Sequence, residues 1–205
     1  LSTRDAFRKF TSASSDEAVM TATADADAAA GTYNVEVFRL AQNHKFGSNE
    51  FADTATVGGG AGDALTLTVG TETATIDLSS ATSLAGVRDA INSASDNPGV
   101  TATILNTGDG NQRLILTADE SGYDSRIQLG FGGSINDATF GFATTNQDNL
   151  GAALTDLTQL DASYSIDGFA LTSAINKVSS ALDGLTLELK GEGHSTLVLA
   201  RDNEA

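Results

Sequence analysis

The side chains that could do chemistry in this chain are mainly carboxylates and hydroxyls. The 205 residues include 27 Asp and Glu, 11 Lys and Arg, two His and no Cys. No disulfide, thiolate metal site or cysteine nucleophile is therefore possible, and a histidine-rich metal centre is nearly excluded. The formal charge of −16 also makes duplex DNA, RNA and anionic membrane surfaces poor partners. No apolar run is long enough to predict membrane insertion.

Carboxylates that lie close together in sequence are the first candidates for a catalytic or calcium site. Three such pairs are Asp25/Asp27, Asp119/Glu120 and Asp202/Glu204. Glycosidases need two carboxyl groups placed across the scissile bond, a geometry that sequence proximity does not establish. No stretch repeats the Asp-x-Asp-x-Asp-Gly pattern of a calcium loop with its distal Glu. With 27 acidic residues such pairs are expected by chance, so solvated surface is the favoured interpretation over a hydrolase based on Asp119 and Glu120.

A glycine-rich run and the two histidines are the remaining candidates. The Gly58 to Gly62 segment could wrap a phosphate with backbone amides, but no Lys-Ser/Thr follows and the next element is a predicted strand. A flexible interdomain loop is favoured instead. His44 and His194 are interpreted as exposed polar residues, and no Gly-x-Ser-x-Gly elbow accompanies them. The sequence predicts no enzyme: no catalytic, cofactor-binding or metal-ligating residue is assigned, no cofactor is expected, and the interaction surface is not identified.

Strand-like alternation marks both ends of the chain. Residues 1–17 are predicted to be a tail or connector to a missing coiled-coil region. Ala18–Ala24 and Thr32–Leu40 are predicted to be neighbours in one antiparallel sheet. After Ser163 the β pattern returns in three runs: Tyr164–Thr172, Leu185–Lys190 and Thr196–Arg201. The segment Ile175–Leu182 is expected to hold one turn of helix or an irregular edge.

The middle of the chain predicts a compact unit of two hairpins around one helix. Alternation over Leu65–Val69 and Ala74–Leu78 indicates the first hairpin. Ser83 is a plausible N-cap for a helix whose apolar residues share one face, namely Leu84, Val87, Ile91 and Ala94. Asn97-Pro98-Gly99 should stop that helix.

A second hairpin is predicted over Val100–Leu105 and Arg113–Thr117, in strands covered on both faces. Leu105 and Ile115 break the strict alternation there, which is typical of such strands. In residues 119–160 we expect a strand at Arg126–Leu129 and long loops. Three phenylalanines are expected to anchor those loops: Phe131, Phe140 and Phe142.

Charge separates these regions into two domains. Residues 46–160 hold 14 acidic and 3 basic residues, whereas the two flanks are more balanced. The predicted fold class is a β-rich α+β protein with two domains. A discontinuous antiparallel β domain is formed by residues 18–44 and 161–205, and an acidic α+β domain, residues 45–160, is inserted into it with one helix packed on strands. The loops of this inserted domain could bind carbohydrate or protein, but solubility is the favoured explanation of their polarity.

Three segments of the sequence resemble the flagellar hook-associated protein 2 family. AGTYNVEVFRLAQNHKF (Ala30–Phe46) is similar to the end of its N-terminal region. The stretch from Leu65 to Gly122, with its Leu-Ala-Gly-Val-Arg-Asp-Ala-Ile-Asn helix between two hairpins, resembles a motif shared by flagellins and hook-associated proteins. Tyr164–Gly191 and the following STLVLARD resemble the start of the family's C-terminal region. Residues 123–160 match nothing that we can place.

The resemblance implies a filament cap at the distal tip of the bacterial flagellum. Such a cap is a homo-oligomeric ring that helps exported flagellin fold and insert, so self, flagellin and hook-filament junction proteins are the implied partners. It also implies an extracellular location, export without a cleaved secretory signal, and a coiled-coil leg in the full-length parent. Because neither end shows sustained heptads, this chain is expected to hold only the outer domains. The alternative is an extracellular adhesion module that binds host glycans or mucin.

Overall fold

Alternating Thr, Val, Leu and Ala residues give the chain an almost wholly β secondary structure, which the computed structural model describes for residues 10–148 and 150–202. The strands are β1 (Phe10–Ser14), β2 (Met20–Ala24), β3 (Gly31–Arg39), β4 (Asn43–Gly47), β5 (Phe51–Ala52), β6 (Ala64–Val69), β7 (Glu72–Asp77), β8 (Val100–Gly108), β9 (Asn111–Ser121), β10 (Ile127–Gly132), β11 (Ala143–Thr144), β12 (Ala162–Ile166), β13 (Phe169–Ser173), β14 (Lys177–Leu182), β15 (Leu185–Leu189) and β16 (Gly193–Arg201). The helices are α1 (Leu84–Ser93) and α2 (Asp137–Phe140), with 3-10 turns at Tyr123–Ser125 and Leu157–Leu160.

The chain divides into two units. The flanking unit combines the residues up to Gln42 with those from Gln159 onward, and the inserted unit is Asn43–Thr158. The strand content and the two-unit organisation confirm the predicted fold class, a β-rich chain with a discontinuous β domain interrupted by an inserted one.

The flanking unit is built from two antiparallel sheets that share one core. One sheet has the order β1-β16-β3-β12-β13 and the other β14-β15-β2. Inward residues alternate along the strands, as in Val35 and Val37 of β3 or Leu185, Leu187 and Leu189 of β15, and both sets lie in one buried cluster. Two faces that each expose apolar side chains every second residue must cover one another, which accounts for the two-sheet arrangement.

The predicted connector at residues 1–17 is wrong for part of its length, and residues 1–9 lie outside the described residues. Phe10–Ser14 forms β1 and pairs along its full length with β16, from Phe10↔Arg201 to Ser14↔Leu197. Its small polar side chains do not give an apolar pattern, but their hydroxyls find acceptors. Ser12 Oγ donates to the carbonyl oxygen of Ala22 at 2.5 Å.

The predicted pairing of the first two runs is also wrong. β2 pairs with β15, whereas β3 lies between β16 and β12 in the other sheet. The connection between them is held at the turn between β14 and β15, because the Asp25 amide donates to the Gly184 carbonyl at 2.8 Å, and Ala28 within it is buried. Through this anchored segment the chain passes from the sheet that contains β2 to the sheet that contains β3.

Two further expectations for the C-terminal flank need revision. The run Tyr164–Thr172 is two strands, because Asp167 and Gly168 adopt left-handed φ angles of 49° and 85° and form a hairpin turn. The segment Ile175–Leu182 contains strand β14 rather than a turn of helix. The irregular-edge alternative is the correct one, since β14 lies at the edge of its sheet and its register shifts between Val178 and Leu182.

The inserted unit places one helix against two sheets, ordered β10-β6-β7 and β11-β4-β9-β5, with β8 paired to β9. Helix α1 begins as predicted: Ser83 Oγ accepts a hydrogen bond from the Gly86 amide at 3.1 Å. Leu84, Val87 and Ile91 are buried on one face of α1, as predicted, whereas Ala94, the fourth residue of the predicted stripe, is the C-cap that follows the helix. The first hairpin is also confirmed, as β6 and β7.

The region from residue 119 to 160 is organised by its phenylalanines, as predicted. Phe140 is fully buried, and its ring lies 5.3 Å from that of Phe142 and 6.3 Å from that of Phe131. The strand predicted at Arg126–Leu129 is β10, which pairs with β6. The expectation that Leu105 lies in a strand covered on both faces is wrong, because the face of β8 that carries Thr101, Thr103 and Leu105 is exposed, and Leu105 itself is 52% exposed.

Candidate interaction surfaces

A polar cleft of about 380 Å³ opens on the flanking unit. It lies beside the cross-strand row His194, Glu36 and Ser165, which runs across β16, β3 and β12. The other lining residues are Ser15, Asn34, Val35, Gly168, Ser195 and Thr196. His194, Glu36 and three serines at one place make this the position where acid–base or nucleophilic chemistry would have to be sought.

The hydrogen bonds of the cleft instead connect strands of the five-stranded sheet. Ser195 Oγ lies 2.7 Å from Ser14 Oγ and accepts from the Asp16 amide at 3.1 Å, so it fastens β1 to β16. His194 Nε2 lies 3.1 Å from Glu36 Oε1, and 78% of the His194 side chain is exposed, as the sequence predicted. Within the described residues no hydrogen bond joins His194 to a serine, so the cleft lacks the nucleophile–base contact of a hydrolase.

His44 contradicts its sequence interpretation as an exposed residue, because it is completely buried in the inserted unit. Its Nδ1 accepts a hydrogen bond from the Ile127 amide at 3.0 Å and so connects β4 to β10. Burial, together with the nearby Arg126 guanidinium, lowers the pKa of His44 to about 4. The polar neighbours Asn43 and Lys45 suggest an exposed segment. Phe46, however, lies two residues after His44 on the same face of the strand, and this spacing indicates that His44 is buried.

The environment of His44 fixes its proton. Since Nδ1 accepts, a neutral ring carries its hydrogen on Nε2, which is buried and has no hydrogen-bond partner among the described residues. The ring packs edge-on against Phe46 at 4.5 Å between centroids. His44 is therefore a structural connection that is compatible only with the neutral imidazole.

The glycine-rich segment is part of the inserted unit and is anchored there, so its interpretation as a flexible interdomain loop is wrong. The buried Asp63 carboxylate accepts from the Gly60 amide at 2.8 Å and from the Ser134 amide and hydroxyl, both at 2.7 Å. Hydrogen bonds from the Ser134 hydroxyl and amide lower the pKa of Asp63. A Cβ on Gly58 would lie 2.7 Å from the Ala81 carbonyl oxygen, so glycine is required there for close packing.

The bonds to Asp63 also argue against phosphate binding by the glycine-rich segment. The small cleft beside the segment measures about 230 Å³ and is lined by Thr56, Val57, Gly58, Gly60, Asp63, Ser134, Ile135 and Thr139. Its donors already serve an internal carboxylate, and that negative charge would repel a phosphate. The segment is thus a loop organised around its own anion.

Asp25 and Asp119 make structural hydrogen bonds, Asp25 within a loop and Asp119 between strands β9 and β8. Asp25 Oδ1 accepts from the Asp27 amide at 2.9 Å, and Asp119 Oδ1 accepts from the Thr101 hydroxyl at 2.8 Å. Glu204 lies outside the described residues. Among residues 10–148 and 150–202, no group of three or more His, Asp or Glu side chains is placed to hold a metal ion, and no helix is long and apolar enough to cross a membrane.

Exposed apolar side chains are distributed unevenly between the units. The large ones are Phe38, Phe169, Ile175 and Val198 in the flanking unit and Leu105 and Leu150 in the inserted unit. The flanking unit has 13 acidic and 7 basic residues, a net charge of −6, against 14 and 4, a net charge of −10, in the inserted unit. The flanking unit therefore has the lower electrostatic barrier to association with another copy, and it exposes more large apolar side chains.

Two family models match the chain. Residues 1–44 match the flagellar hook-associated protein 2 N-terminus, and residues 64–120 match the flagellin hook IN motif. The A-type flagellar hook-associated protein 2 of Pseudomonas aeruginosa is 35% identical over 90% of this chain and 41% of its own length. The B-type protein of that organism is 33% identical over 99% of this chain and 45% of its own length. The chain therefore spans less than half the length of these curated relatives.

Solved structures show the same relationship over both units. The crystal structure of the flagellar cap protein FliD D1-D2-D3 domains from Escherichia coli superposes with a TM-score of 0.79 and 28% identity, over 99% of this chain and 58% of that one. The D2-D3 domains of the same protein superpose with a TM-score of 0.78 and 30% identity, over 95% of this chain and 100% of that one. Because both units and the whole of that two-domain structure are matched, the chain belongs to the flagellar hook-associated protein 2 family.

Proposed function

We propose that this chain is the outer, two-domain part of a filament cap at the distal tip of the bacterial flagellum. The observation that supports this most is the match over the full length of the cap protein's D2-D3 domains from Escherichia coli. The proposed role is structural: the chain works by shape and subunit contacts, extracellularly, while exported flagellin folds and inserts beneath the cap. We propose no catalytic role; Ser195 of the cleft bonds to the hydroxyls of Ser14 and Ser15.

Contacts between copies in the cap ring are proposed to use the flanking unit. Its exposed Phe38, Phe169, Ile175 and Val198 offer apolar surface, and its net charge of −6 opposes association less than the −10 of the inserted unit. The inserted unit is proposed to face solvent, where its charge supports solubility. None of the relatives named above is described as an adhesin, so the glycan-binding alternative gains nothing from them.

The experiment is an internal deletion in the full-length parent. A cap-null strain is complemented either with the intact protein or with a version lacking residues 18–200, and both are checked for equal export. We expect the deletion to abolish filament growth and to release unpolymerised flagellin into the medium. Filaments of normal length from the deleted protein would show that this part of the molecule has another role.

A further inference from the structure

Strand β8 has one open edge. It pairs with β9 on one side, from Val100↔Ala118 to Gly108↔Asn111, and no strand within the described residues lies on its other side. An open edge displays unpaired amide and carbonyl groups on alternate residues, and it can therefore pair with a strand of another molecule. What occupies this edge thus decides whether the inserted unit can associate through β8.

Two asparagine side chains occupy the first part of the edge. Asn92, on α1, accepts from the Ala102 amide with Oδ1 and donates to the Ala102 carbonyl with Nδ2, both at 2.8 Å. Asn97, beyond the helix, makes the same two bonds to Val100, again both at 2.8 Å. A carboxamide that both accepts from and donates to one residue reproduces the bonding of an antiparallel strand partner.

The remainder of the edge is uncovered. By the alternation of an antiparallel pair, the backbone groups of Ile104 and Asn106 point the same way as those of Ala102. Leu105 between them is 52% exposed, and Asn106 and Thr107 are exposed. No hydrogen bond from another described residue covers Ile104 or Asn106 on this side.

Asn92 itself adds little to the core. It is exposed, while the buried face of α1 consists of Leu84, Val87 and Ile91. Its position is therefore not explained by packing, but it is explained by the two bonds to Ala102. A side chain that extends along a sheet edge to seal one residue's amide and carbonyl has the geometry of a blocker.

We propose that Asn92, continued by Asn97, is an edge blocker that prevents β8 from pairing with β8 of a second copy of this chain. Without Asn92 the amide and carbonyl of Ala102 lose these partners and join the unpaired groups of Ile104 and Asn106 in one continuous run. The second copy is the relevant partner because every copy presents the same open edge. The net charge of −10 on the inserted unit acts in the same direction, so the carboxamides matter most when salt screens that charge.

The test compares Asn92→Ala with the parent 205-residue chain by sedimentation at several protein concentrations. Measurements are made at low salt and at about 0.5 M NaCl, where the Debye length is only a few ångströms. We expect the weight-average mass of the variant to rise with concentration toward that of a dimer, most clearly at high salt. Adding Leu105→Lys should return the mass to that of the parent, since a charge on an open edge opposes pairing.

Asn176→Ala is the matched control. Asn176 also binds the amide and carbonyl of one residue, Ala41, at 2.7 and 3.1 Å, but Ala41 is not in a strand. That variant is expected to lose stability without self-association. If Asn92→Ala folds and keeps the parent's mass at every concentration and salt level, the proposal is wrong.

If Asn92→Ala fails to fold, Asn92→Ser gives the decisive measurement. Its short hydroxyl cannot bond the Ala102 amide and carbonyl together, and it adds no charge to the edge. Association of this variant at high salt supports the proposal, and its absence in a folded protein overturns it.

Discussion

Acidification should destabilise the inserted unit in a window set by His44. The folded unit requires a neutral imidazole, and the pKa of His44 falls from 6.5 to about 4 because the ring is buried near Arg126. In the unfolded chain the same ring takes up a proton below pH 6.5. The unfolded state therefore binds more protons between pH 6.5 and 4, so the contribution of His44 is complete above 6.5 and is lost as the pH falls toward 4.

The size of the effect follows from that shift. Linkage with these two pKa values gives a loss of about 1 kcal/mol at pH 5.5 and between about 2 and 3 kcal/mol at pH 4.5. The two lowered aspartates do not interfere. The pKa values of Asp63 and Asp77 lie below 3.8, so their contributions are present above 3.8 and are lost only in stronger acid.

Urea unfolding followed by pulse proteolysis measures this loss, because the protected fragments identify which unit has unfolded. The parent is compared with His44→Asn, whose carboxamide oxygen can still accept from Ile127 but does not titrate. We expect the variant to be less stable at pH 7 and to lose much less stability at pH 4.5. His194→Asn is the control, since its exposed side chain should leave the acid response unchanged. A parent whose inserted unit is equally stable at pH 7 and 4.5 would refute the reasoning.

Three further predictions concern single residues. Asp63→Asn should lower the urea midpoint of the inserted unit and increase proteolysis near the glycine-rich segment, because an amide nitrogen replaces one acceptor facing Gly60 and Ser134; an unchanged cleavage pattern would contradict this. Ile91→Ala, which truncates a fully buried residue of α1, should cost about 2 to 5 kcal/mol of unfolding free energy, whereas an exposed change such as Ser93→Ala should cost under about 1 kcal/mol. Phe169→Ser should leave stability within about 0.5 kcal/mol, since the ring is 76% exposed, but should shorten filaments in complemented cells; filaments of full length would exclude Phe169 from the proposed contact surface.

Features set by neighbouring residues could be predicted from the sequence. The Ser83 cap, the apolar stripe of α1 and the hairpin β6-β7 all depend on residues a few positions apart, and all three are present. The phenylalanine anchors were also predictable, because three large rings in a glycine-rich region need a common core.

Features set by distant partners could not be predicted. In the sequence β2 is next to β3, but its actual partner is β15, which lies more than 150 residues later. His44 looks exposed because Asn43 and Lys45 flank it, whereas its burial depends on Ile127 and the sheet that contains it. Asn92 is one polar residue on a helix, and only the position of β8 shows which backbone groups it bonds.

The pairing of β1 with β16 has a consequence for the order of folding. Thr11 and Ala200 lie opposite each other although 189 positions separate them, so the five-stranded sheet cannot close until almost the whole described chain is present. Every strand of the inserted unit finds its partner between Asn43 and Thr158. Contacts that close shorter loops form faster. A chain that emerges N-terminus first is therefore expected to complete the inserted unit before β12 and β16, the partners of β3 and β1, are available. We expect the joining of the two ends of the flanking unit to be the last step.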